Sequence, residues 1–227
     1  MAVVGIIAEY NPFHYGHGFQ MEALRRKYPA AYIVIAMSGS FTQRGAPCIL
    51  DKWTRACHAV AGGADLVLEL PFVYACRSAQ DFARGGVSLL SSLGIVTHLA
   101  FGTEAEGTSL LSELAAQIDT DPVQMQLREY LGQGCSYAGA LTRALTRDTV
   151  VSEDLLRAPN NILAIEYLRA LQSLAPQIAR HSAGIGTALR RTAPCGHHQC
   201  FLHPSCTQRG TTVMGSDKTE RLAVHTA

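Results

Sequence analysis

Four short apolar runs alternate with segments of helical spacing in the N-terminal part of the chain, and this order restricts the fold more than any other feature. The runs are Ala2–Ala8, Ala31–Met37, Asp65–Leu70 and Val96–Phe101. They are rich in β-branched residues and show no polar alternation, which is typical of strands covered on both faces of a parallel sheet. Strands that alternate with helices form βαβ units, so the sequence predicts an α/β fold with a parallel sheet.

Helical spacing predicts the elements between these strands and after them. The first three predicted helices are Gly16–Tyr28, Asp51–Ala61 and Ser78–Leu93. After Gly102 the strand signals stop, and four more helices are predicted: Leu110–Ile118, Pro122–Leu131, Ala138–Leu145 and Asn161–Leu174. We therefore expect a Rossmann-like sheet with additional helices over residues 1–184, and an atypical tail over residues 185–227.

Composition narrows the class of protein further. The chain has 227 residues, is 48% hydrophobic and carries a formal net charge of +1. This balance argues against a generally basic nucleic-acid coat, although it leaves room for a local basic groove. We expect no membrane span, because no apolar run has the necessary length. The start of the chain lacks a secretion signal, and the cysteine number is odd, at seven. Both features predict a cytoplasmic protein with free thiols.

The segment that follows the first predicted strand carries the strongest chemical signal. It reads Glu9-Tyr10-Asn11-Pro12-Phe13-His14-Tyr15-Gly16-His17 and leads directly into a predicted helix. Parallel sheets bind ligands beyond the carboxyl ends of their strands, and a helix N-terminus favours a phosphate. Two imidazoles there would donate hydrogen bonds to the charge that develops on a phosphate during nucleotidyl transfer. Alternatively, the two histidines cap the helix and satisfy loop carbonyls. The strand-loop-helix context favours nucleotide binding.

Other nucleotide-binding motifs are absent from the sequence. No Gly-x-x-x-x-Gly-Lys-Ser/Thr segment and no Gly-x-Gly-x-x-Gly segment after a strand occurs. A P-loop hydrolase and a dinucleotide-dependent dehydrogenase are therefore disfavoured.

Residues in later segments are weaker candidates. Arg44, in the loop Ser38–Pro47, suits the edge of an active site or an ordinary surface position. Lys52 and Arg55 lie three apart on a predicted helix and share a face, so they would contact RNA phosphates or simply solvent. Gly102 follows the fourth strand, where it would allow close approach of a nucleotide or form a turn. We expect Asn160-Asn161 both to contact a ligand and to cap the next helix.

Several ordered blocks together resemble one known family, the bacterial tRNA(Met) cytidine acetate ligases, which belong to a nucleotidyltransferase superfamily with a His-x-Gly-His motif. The blocks extend over roughly residues 1–184 and comprise Gly5–His17, Met37–Gly45, Asp51–Arg55, Asp65–Pro71, Ser78–Ala83, Phe101–Glu104 and Pro159–Leu163. The resemblance implies a nucleotidyltransferase-type α/β fold and a two-step reaction. ATP and acetate would form acetyl-adenylate, with Mg2+ bridging ATP oxygens, and the acetyl group would move to the wobble cytidine of elongator tRNA(Met).

The resemblance also implies which residues form the ATP site. We expect His14 and His17 to be catalytic, and Arg44, Lys52 and Arg55, the weaker candidates described above, to contact tRNA. The ATP-binding residues would be Ile7, Ala8, Glu9, Tyr10, Asn11, Pro12, Phe13, His14, Gly16, His17, Gln20, Gly102, Asn160, Asn161 and Arg180. No protein-bound metal is expected in this part of the chain. Two alternatives stay open: a small-molecule adenylyltransferase that needs no tRNA, and an inactive remnant with a metal-binding tail.

The tail departs from the family pattern. A Ser-Ala-Thr/Ser-x-Ile-Arg motif should follow Gly184, but the chain instead has three of its seven cysteines and four of its nine histidines in residues 185–227. Cys195, Cys200 and Cys206 would suit zinc, although their spacing is unlike common zinc sites. Gly196–Pro204, back-translated with ordinary codons and shifted by one nucleotide, reads Gly-Ile-Thr-Ser-Ala-Ser-Phe-Ile-Arg. We therefore expect a frameshift near Gly184 and an out-of-frame or disordered tail.

Overall fold

The computed structural model describes residues 1–105, 108–147, 153–184 and 213–214. A parallel sheet forms its centre, with the strand order β5-β4-β1-β2-β3-β6. The strands are β1 (Val3–Ala8), β2 (Tyr32–Ser38), β3 (Leu66–Leu70), β4 (His98–Thr103), β5 (Ala179–Gly184) and β6 (Val213–Met214). The predicted α/β class is confirmed, because strands and helices alternate through the first four strands and all registered strand pairs are parallel.

Helices cover both faces of the sheet. They are α1 (Tyr15–Lys27), α2 (Lys52–Ala61), α3 (Phe72–Ala75), α4 (Ala79–Ser92), α5 (Ser109–Ile118), α6 (Asp121–Gly132), α7 (Tyr137–Thr146), α8 (Glu153–Arg157) and α9 (Pro159–Leu174). The four predicted strands and seven predicted helices all occur, with ends displaced by at most two residues. The short helices α3 and α8 were not predicted, since neither is long enough to show a periodic pattern.

The prediction that strands end after Gly102 is wrong, because β5 extends the sheet beyond β4. It runs alongside β4 from the pair His98–Ala179 to the pair Thr103–Gly184. As the edge strand on this side of the sheet, β5 is not covered like the central strands. Its sequence, Ala-Arg-His-Ser-Ala-Gly, therefore lacks the apolar run by which the central strands are predicted.

Two apolar cores explain why the central strands are mainly apolar. In β2, Val34 and Ala36 pack with α4 and α9 on one face of the sheet. The intervening Ile33 and Ile35 pack with α1 and α2 on the other face. Because successive strand residues point to opposite faces, a strand between two helical layers buries every side chain.

The predicted atypical tail, residues 185–227, lies mainly outside the residues that the structure describes. This applies to Cys195, Cys200 and Cys206, which would suit zinc, and to the segment that motivates the frameshift hypothesis. In the described ranges, Cys48, Cys57, Cys76 and Cys135 form no disulfide. None of the helices in those ranges combines the length and apolarity that a membrane span requires.

Candidate active site

A cleft of about 780 Å³ opens at the carboxyl ends of the central strands. Its size is within the range of small-molecule sites. The loops after β1, β2 and β4 and the N-terminal turns of α4, α7 and α9 supply its walls. The lining residues are Ile6, Ile7, Ala8, Glu9, Tyr10, Asn11, Pro12, His14, His17, Gln20, Thr42, Gln43, Arg44, Ser78, Ala79, Phe82, Phe101, Gly102, Tyr137, Ala138, Pro159, Asn160, Ile162, Leu163 and Tyr167.

The two histidines of the first loop form a reciprocal cap at the start of α1. The backbone N–H of Gly16 donates to Nδ1 of His14 at 3.1 Å, and the backbone N–H of His14 donates to Nδ1 of His17 at 3.2 Å. Their rings stack with centroids 3.7 Å apart. This is the geometry of a capping box, with imidazoles in place of the usual hydroxyl and carboxylate. Capping and ligand binding, which the sequence presents as alternatives, are therefore compatible.

The cap also determines the tautomer of each ring. A nitrogen that accepts a backbone hydrogen bond carries no proton, so a neutral imidazole must carry its proton on Nε2. Burial, and secondly the charge of His14, lower the pKa of His17 to about 3. His17 is therefore neutral at pH 7 and offers Nε2–H as a hydrogen-bond donor. Two such donors at a helix N-terminus are suited to an anionic oxygen.

Aromatic side chains beneath the loop hold His17 in place. Phe13 is only 2% exposed, and its ring centroid lies 5.0 Å from that of Tyr10 and 5.4 Å from that of His17. A Cβ on Gly62 would lie 2.4 Å from Phe13 Cζ, so the close approach of the Phe13 ring requires glycine at this position. Phe13 and the buried Gly16 do not line the cleft. Their described contacts are those of supporting residues, and their contact with the nucleotide stays a prediction.

The loops after β1 and β2 are joined by direct hydrogen bonds. The Asn11 side-chain oxygen accepts from the backbone N–H of Ile49 at 2.7 Å. Glu9 Oε1 accepts from the backbone N–H of Gln43 at 2.5 Å. These bonds hold the Ser38–Pro47 loop against the histidine loop, so Thr42, Gln43 and Arg44 form one side of the cleft.

Arg55 is buried behind these two loops, which contradicts its predicted contact with RNA. The side chain is 0% exposed. Its guanidinium donates to the backbone carbonyls of Glu9, Ser38, Gly39 and Leu50. The helical spacing that places Arg55 on one face with Lys52 does not reveal that this face turns inward.

The other two cations predicted to meet RNA differ in their surroundings. Lys52 Nζ lies 2.9 Å from Glu69 Oε2 and 5.1 Å from the centre of the Trp53 ring, outside the cleft. Trp53 is 36% exposed and is not packed inward. Arg44 is exposed and lines the cleft. Arg44 is therefore the predicted RNA contact that the fold brings to the site.

The adjacent residues Asn160 and Asn161 have separate roles. Asn160 lines the cleft with Gly102, and its amide donates to Glu104 Oε1 at 3.1 Å. Asn161 is 2% exposed and does not line the cleft, so its nucleotide contact stays a prediction. Its oxygen accepts from Thr103 Oγ1 and from the backbone N–H groups of Glu104 and Ala105, at 2.8 to 3.2 Å. Helix α9 begins at Pro159 without a side-chain cap, so neither asparagine caps it.

Alanine substitutions are expected to separate these roles. Asn161→Ala removes the acceptor of Thr103 Oγ1 and of the Glu104 N–H and the donor to the carbonyl of Leu155, while the Ala105 N–H keeps Thr103 Oγ1. We expect a loss of about 3 kcal/mol in the free energy of unfolding, measured in urea. Asn160→Ala should change this stability by less than about 0.5 kcal/mol but weaken nucleotide binding about tenfold in calorimetry. Equal stability losses in the two variants would contradict the assignment.

Arg180 does not reach the cleft, contrary to its predicted contact with ATP. It lies in β5 opposite Leu99, towards the amino end of the strand pair. Its Nη1 donates to Ser112 Oγ of α5 at 2.6 Å. The carboxyl end of β5, at Gly184, is the end that faces the ligand edge of the sheet.

Sequence reasoning missed the wall formed by the later helices. Tyr137 and Ala138 at the start of α7, and Leu163 and Tyr167 of α9, line the cleft. Behind them, buried Glu166 accepts from Tyr137 Oη at 3.4 Å, and Arg169 contacts Glu166 and Asp119. No local motif marks Tyr137, because only the packing of α7 against α9 brings it to the site.

The comparisons with known proteins agree with this geometry. The sequence profile described as HIGH Nucleotidyl Transferase matches residues 1–185. A tRNA(Met) cytidine acetate ligase of Syntrophomonas wolfei is 45% identical over 178 residues, covering 76% of this chain and 43% of the relative. One of Caldanaerobacter subterraneus is 42% identical over 199 residues, covering 84% of this chain and 49% of the relative. The predicted resemblance to this group is confirmed.

Solved structures give the same result for the fold. Thermotoga maritima TmcAL bound with alpha-thio ATP superposes with a TM-score of 0.75 at 34% identity, over 84% of this chain and 50% of that chain. Its apo form matches with a TM-score of 0.75 at 35% identity, over 81% and 45%. The chain spans less than half the length of these two curated relatives. Together, the sequence profile, the sheet and the histidine cap at its ligand edge establish that the chain belongs to the HIGH nucleotidyl transferase family.

Proposed function

We propose that the chain carries the ATP-dependent activity of a tRNA(Met) cytidine acetate ligase. The main support for this proposal is the pair of histidines that cap the N-terminus of α1. They lie in a cleft large enough for a nucleotide. The relatives named tRNA(Met) cytidine acetate ligase support the choice of acetate and tRNA. The TmcAL structure with alpha-thio ATP supports the choice of ATP. Residues 1–184 would contain this site, and the reaction would be cytoplasmic because ATP and tRNA are present there.

In the first proposed step, an acetate oxygen attacks the α-phosphorus of ATP and pyrophosphate leaves. His14 and His17 line the cleft beside the N-terminus of α1. Their Nε2–H groups would stabilise the negative charge that builds on the α-phosphate oxygens. No protein nucleophile is needed, because positioning and electrostatic stabilisation suffice for this displacement.

Mg2+ would be held by ATP oxygens and water and would neutralise phosphate charge. In the described part of the chain, no three His, Cys, Asp or Glu side chains cluster as metal ligands. Mg2+ commonly keeps several waters and binds through substrate phosphates, so the proposed ion would arrive with the nucleotide.

In the second proposed step, N4 of the wobble cytidine attacks the acetyl carbonyl carbon of acetyl-adenylate. The bond to the adenylate oxygen breaks, AMP leaves, and the amine loses one proton. Arg44 lines the cleft and is exposed, so its guanidinium would meet a phosphate beside the base that enters.

Acetate-dependent exchange of labelled pyrophosphate into ATP tests the first step, and transfer of labelled acetate to tRNA(Met) tests the second. We expect exchange that requires acetate and a labelled tRNA product. Exchange with another acid but not with acetate would overturn the proposed substrate. Transfer of AMP to a phosphorylated metabolite without tRNA would identify a small-molecule adenylyltransferase. Absence of both reactions in the full chain would overturn the proposed function for this chain.

A further inference from the structure

An exposed aromatic patch lies beside the cleft, where β2 and β3 end. We define this aromatic patch as Phe41 and Phe72, which are 39% and 63% exposed. The rings of Phe41 and Phe72 meet edge to face, with centroids 5.6 Å apart and planes at 71°. Single exposed apolar residues are common, but neighbouring exposed aromatic rings indicate a binding surface.

The backbone around the patch is well fixed. Phe41 forms an antiparallel bridge with Pro47, and the backbone N–H of Thr42 donates to the carbonyl of Ala46 at 2.8 Å. Tyr74 lies so close to α4 that a Cβ on Gly85 would be 2.3 Å from its ring. A surface that is held in shape before binding loses little conformational entropy when a partner binds.

The patch and the cleft share one wall. Phe41 lies on the outside, while the next three residues, Thr42, Gln43 and Arg44, line the cleft. The Gln43 side-chain amide donates to the carbonyl of Arg77, directly before the cleft residue Ser78. An RNA loop that enters the cleft over this wall would therefore meet the neighbouring aromatic rings.

One cation along this wall is available to an anionic chain. Lys52 and Arg77 are paired with Glu69 and Asp81, respectively, at 2.9 Å. For Arg44 the described residues supply no carboxylate partner. Exposed aromatic rings next to an available guanidinium are the combination that binds single-stranded nucleic acid. Bases stack on the rings, and the cation meets a phosphate.

We propose that Phe41 and Phe72, with Arg44, bind the unpaired nucleotides that flank the base inserted into the cleft. The inference rests on the proposed function, in which a cytidine of an RNA loop enters the cleft. A base that leaves its stack exposes the faces of its neighbours. The aromatic patch supplies new stacking partners at the mouth of the cleft, and Arg44 neutralises one phosphate.

The test measures binding of the full chain to an anticodon stem-loop RNA with the tRNA(Met) sequence, by fluorescence anisotropy. Phe41→Ser and Phe72→Ser should each weaken binding about tenfold, the effect of ~1.4 kcal/mol of stacking per base. Ile95→Ser is the matched control, since Ile95 is 56% exposed just before β4, at the opposite edge of the sheet. This variant should bind as the unmodified chain does. Arg44→Gln should lower the slope of log affinity against log salt by about one.

Conservative variants separate stacking from simple apolar contact. Phe72→Trp should keep or improve RNA binding, whereas Phe72→Leu should lose about as much as Phe72→Ser. Equal RNA binding by Phe72→Leu and the unmodified chain would overturn the proposal. Changed sedimentation of the Phe41→Ser/Phe72→Ser double variant with unchanged RNA binding would also overturn it, because the patch would then join two copies of the chain.

Pyrophosphate exchange distinguishes this inference from the proposed function. Phe41 and Phe72 lie outside the cleft lining, so their serine variants should retain acetate-dependent exchange within twofold while RNA binding falls. Retained exchange with unchanged RNA binding would overturn only the proposed RNA-binding role of the aromatic patch. If the serine variants lose RNA binding but the unmodified chain shows no pyrophosphate exchange, the role of the aromatic patch is supported and acetate activation is overturned.

Discussion

His17→Ala is expected to lower acetate-dependent pyrophosphate exchange by roughly 10²–10³-fold. The loss corresponds to removal of one preorganised donor to an oxyanion. The His17 ring is held by a hydrogen bond from the backbone N–H of His14, by stacking on the His14 ring and by contact with the Phe13 ring. A donor fixed in this way needs no reorganisation when charge develops, which is why its removal should affect the rate of adenylate formation.

His14→Ala is expected to have an effect of similar size, because the two rings form one cap. His17→Gln should lose less than His17→Ala, since an amide group retains an N–H donor. His98→Gln is the control, since His98 begins β4 at the amino edge of the sheet and does not line the cleft. It should retain normal exchange. A loss of less than threefold in both alanine variants would contradict the catalytic assignment.

Arg55→Met is expected to lower the free energy of unfolding by about 3–5 kcal/mol. The substitution removes the donors to four carbonyls, those of Glu9, Ser38, Gly39 and Leu50. Carbonyls left buried without a donor cost free energy, and methionine supplies only apolar volume. Since these carbonyls belong to the ends of β1 and β2 and to the loop before α2, the cleft should loosen as well.

Urea unfolding followed by circular dichroism measures this loss. Arg26→Met is the matched control, because the Arg26 side chain is 64% exposed and its Glu22 partner lies 3.9 Å away. An exposed pair of this kind contributes little, so the control should change stability by less than about 0.5 kcal/mol. A loss below about 1 kcal/mol for Arg55→Met would mean that water replaces the guanidinium at the carbonyls.

The sequence alone predicts the role of the two histidines but not the role of Arg55. His14 and His17 are recognisable because strand, loop and helix N-terminus are contiguous, and local geometry places their side chains at a sheet edge. The role of Arg55 is not recognisable from sequence. Its four carbonyl partners come from three segments, which meet only after β1, β2 and α2 have packed. Helical spacing shows which residues share a face, but it does not show where that face points.

The same distinction applies to Asn160 and Asn161. Adjacent asparagines after a proline look equivalent in the sequence, and both seem suited to a ligand or a cap. The rotation of α9 against the end of β4 turns Asn161 inward to three donors and leaves Asn160 at the cleft. A rotation of about 100° per residue separates neighbours on a helix, so tertiary packing alone decides which asparagine is buried.

The α/β class, the first four strands and the histidine loop can be predicted from contiguous residues, because their periodicity and turn chemistry are local. Packing between distant segments instead makes β5 extend the sheet, keeps Arg55 and Arg180 away from the cleft, and brings Tyr137 into its wall. It also places Phe41 beside Phe72. These outcomes depend on contacts between segments distant in the chain, and the free energy of such contacts is not encoded in any local pattern.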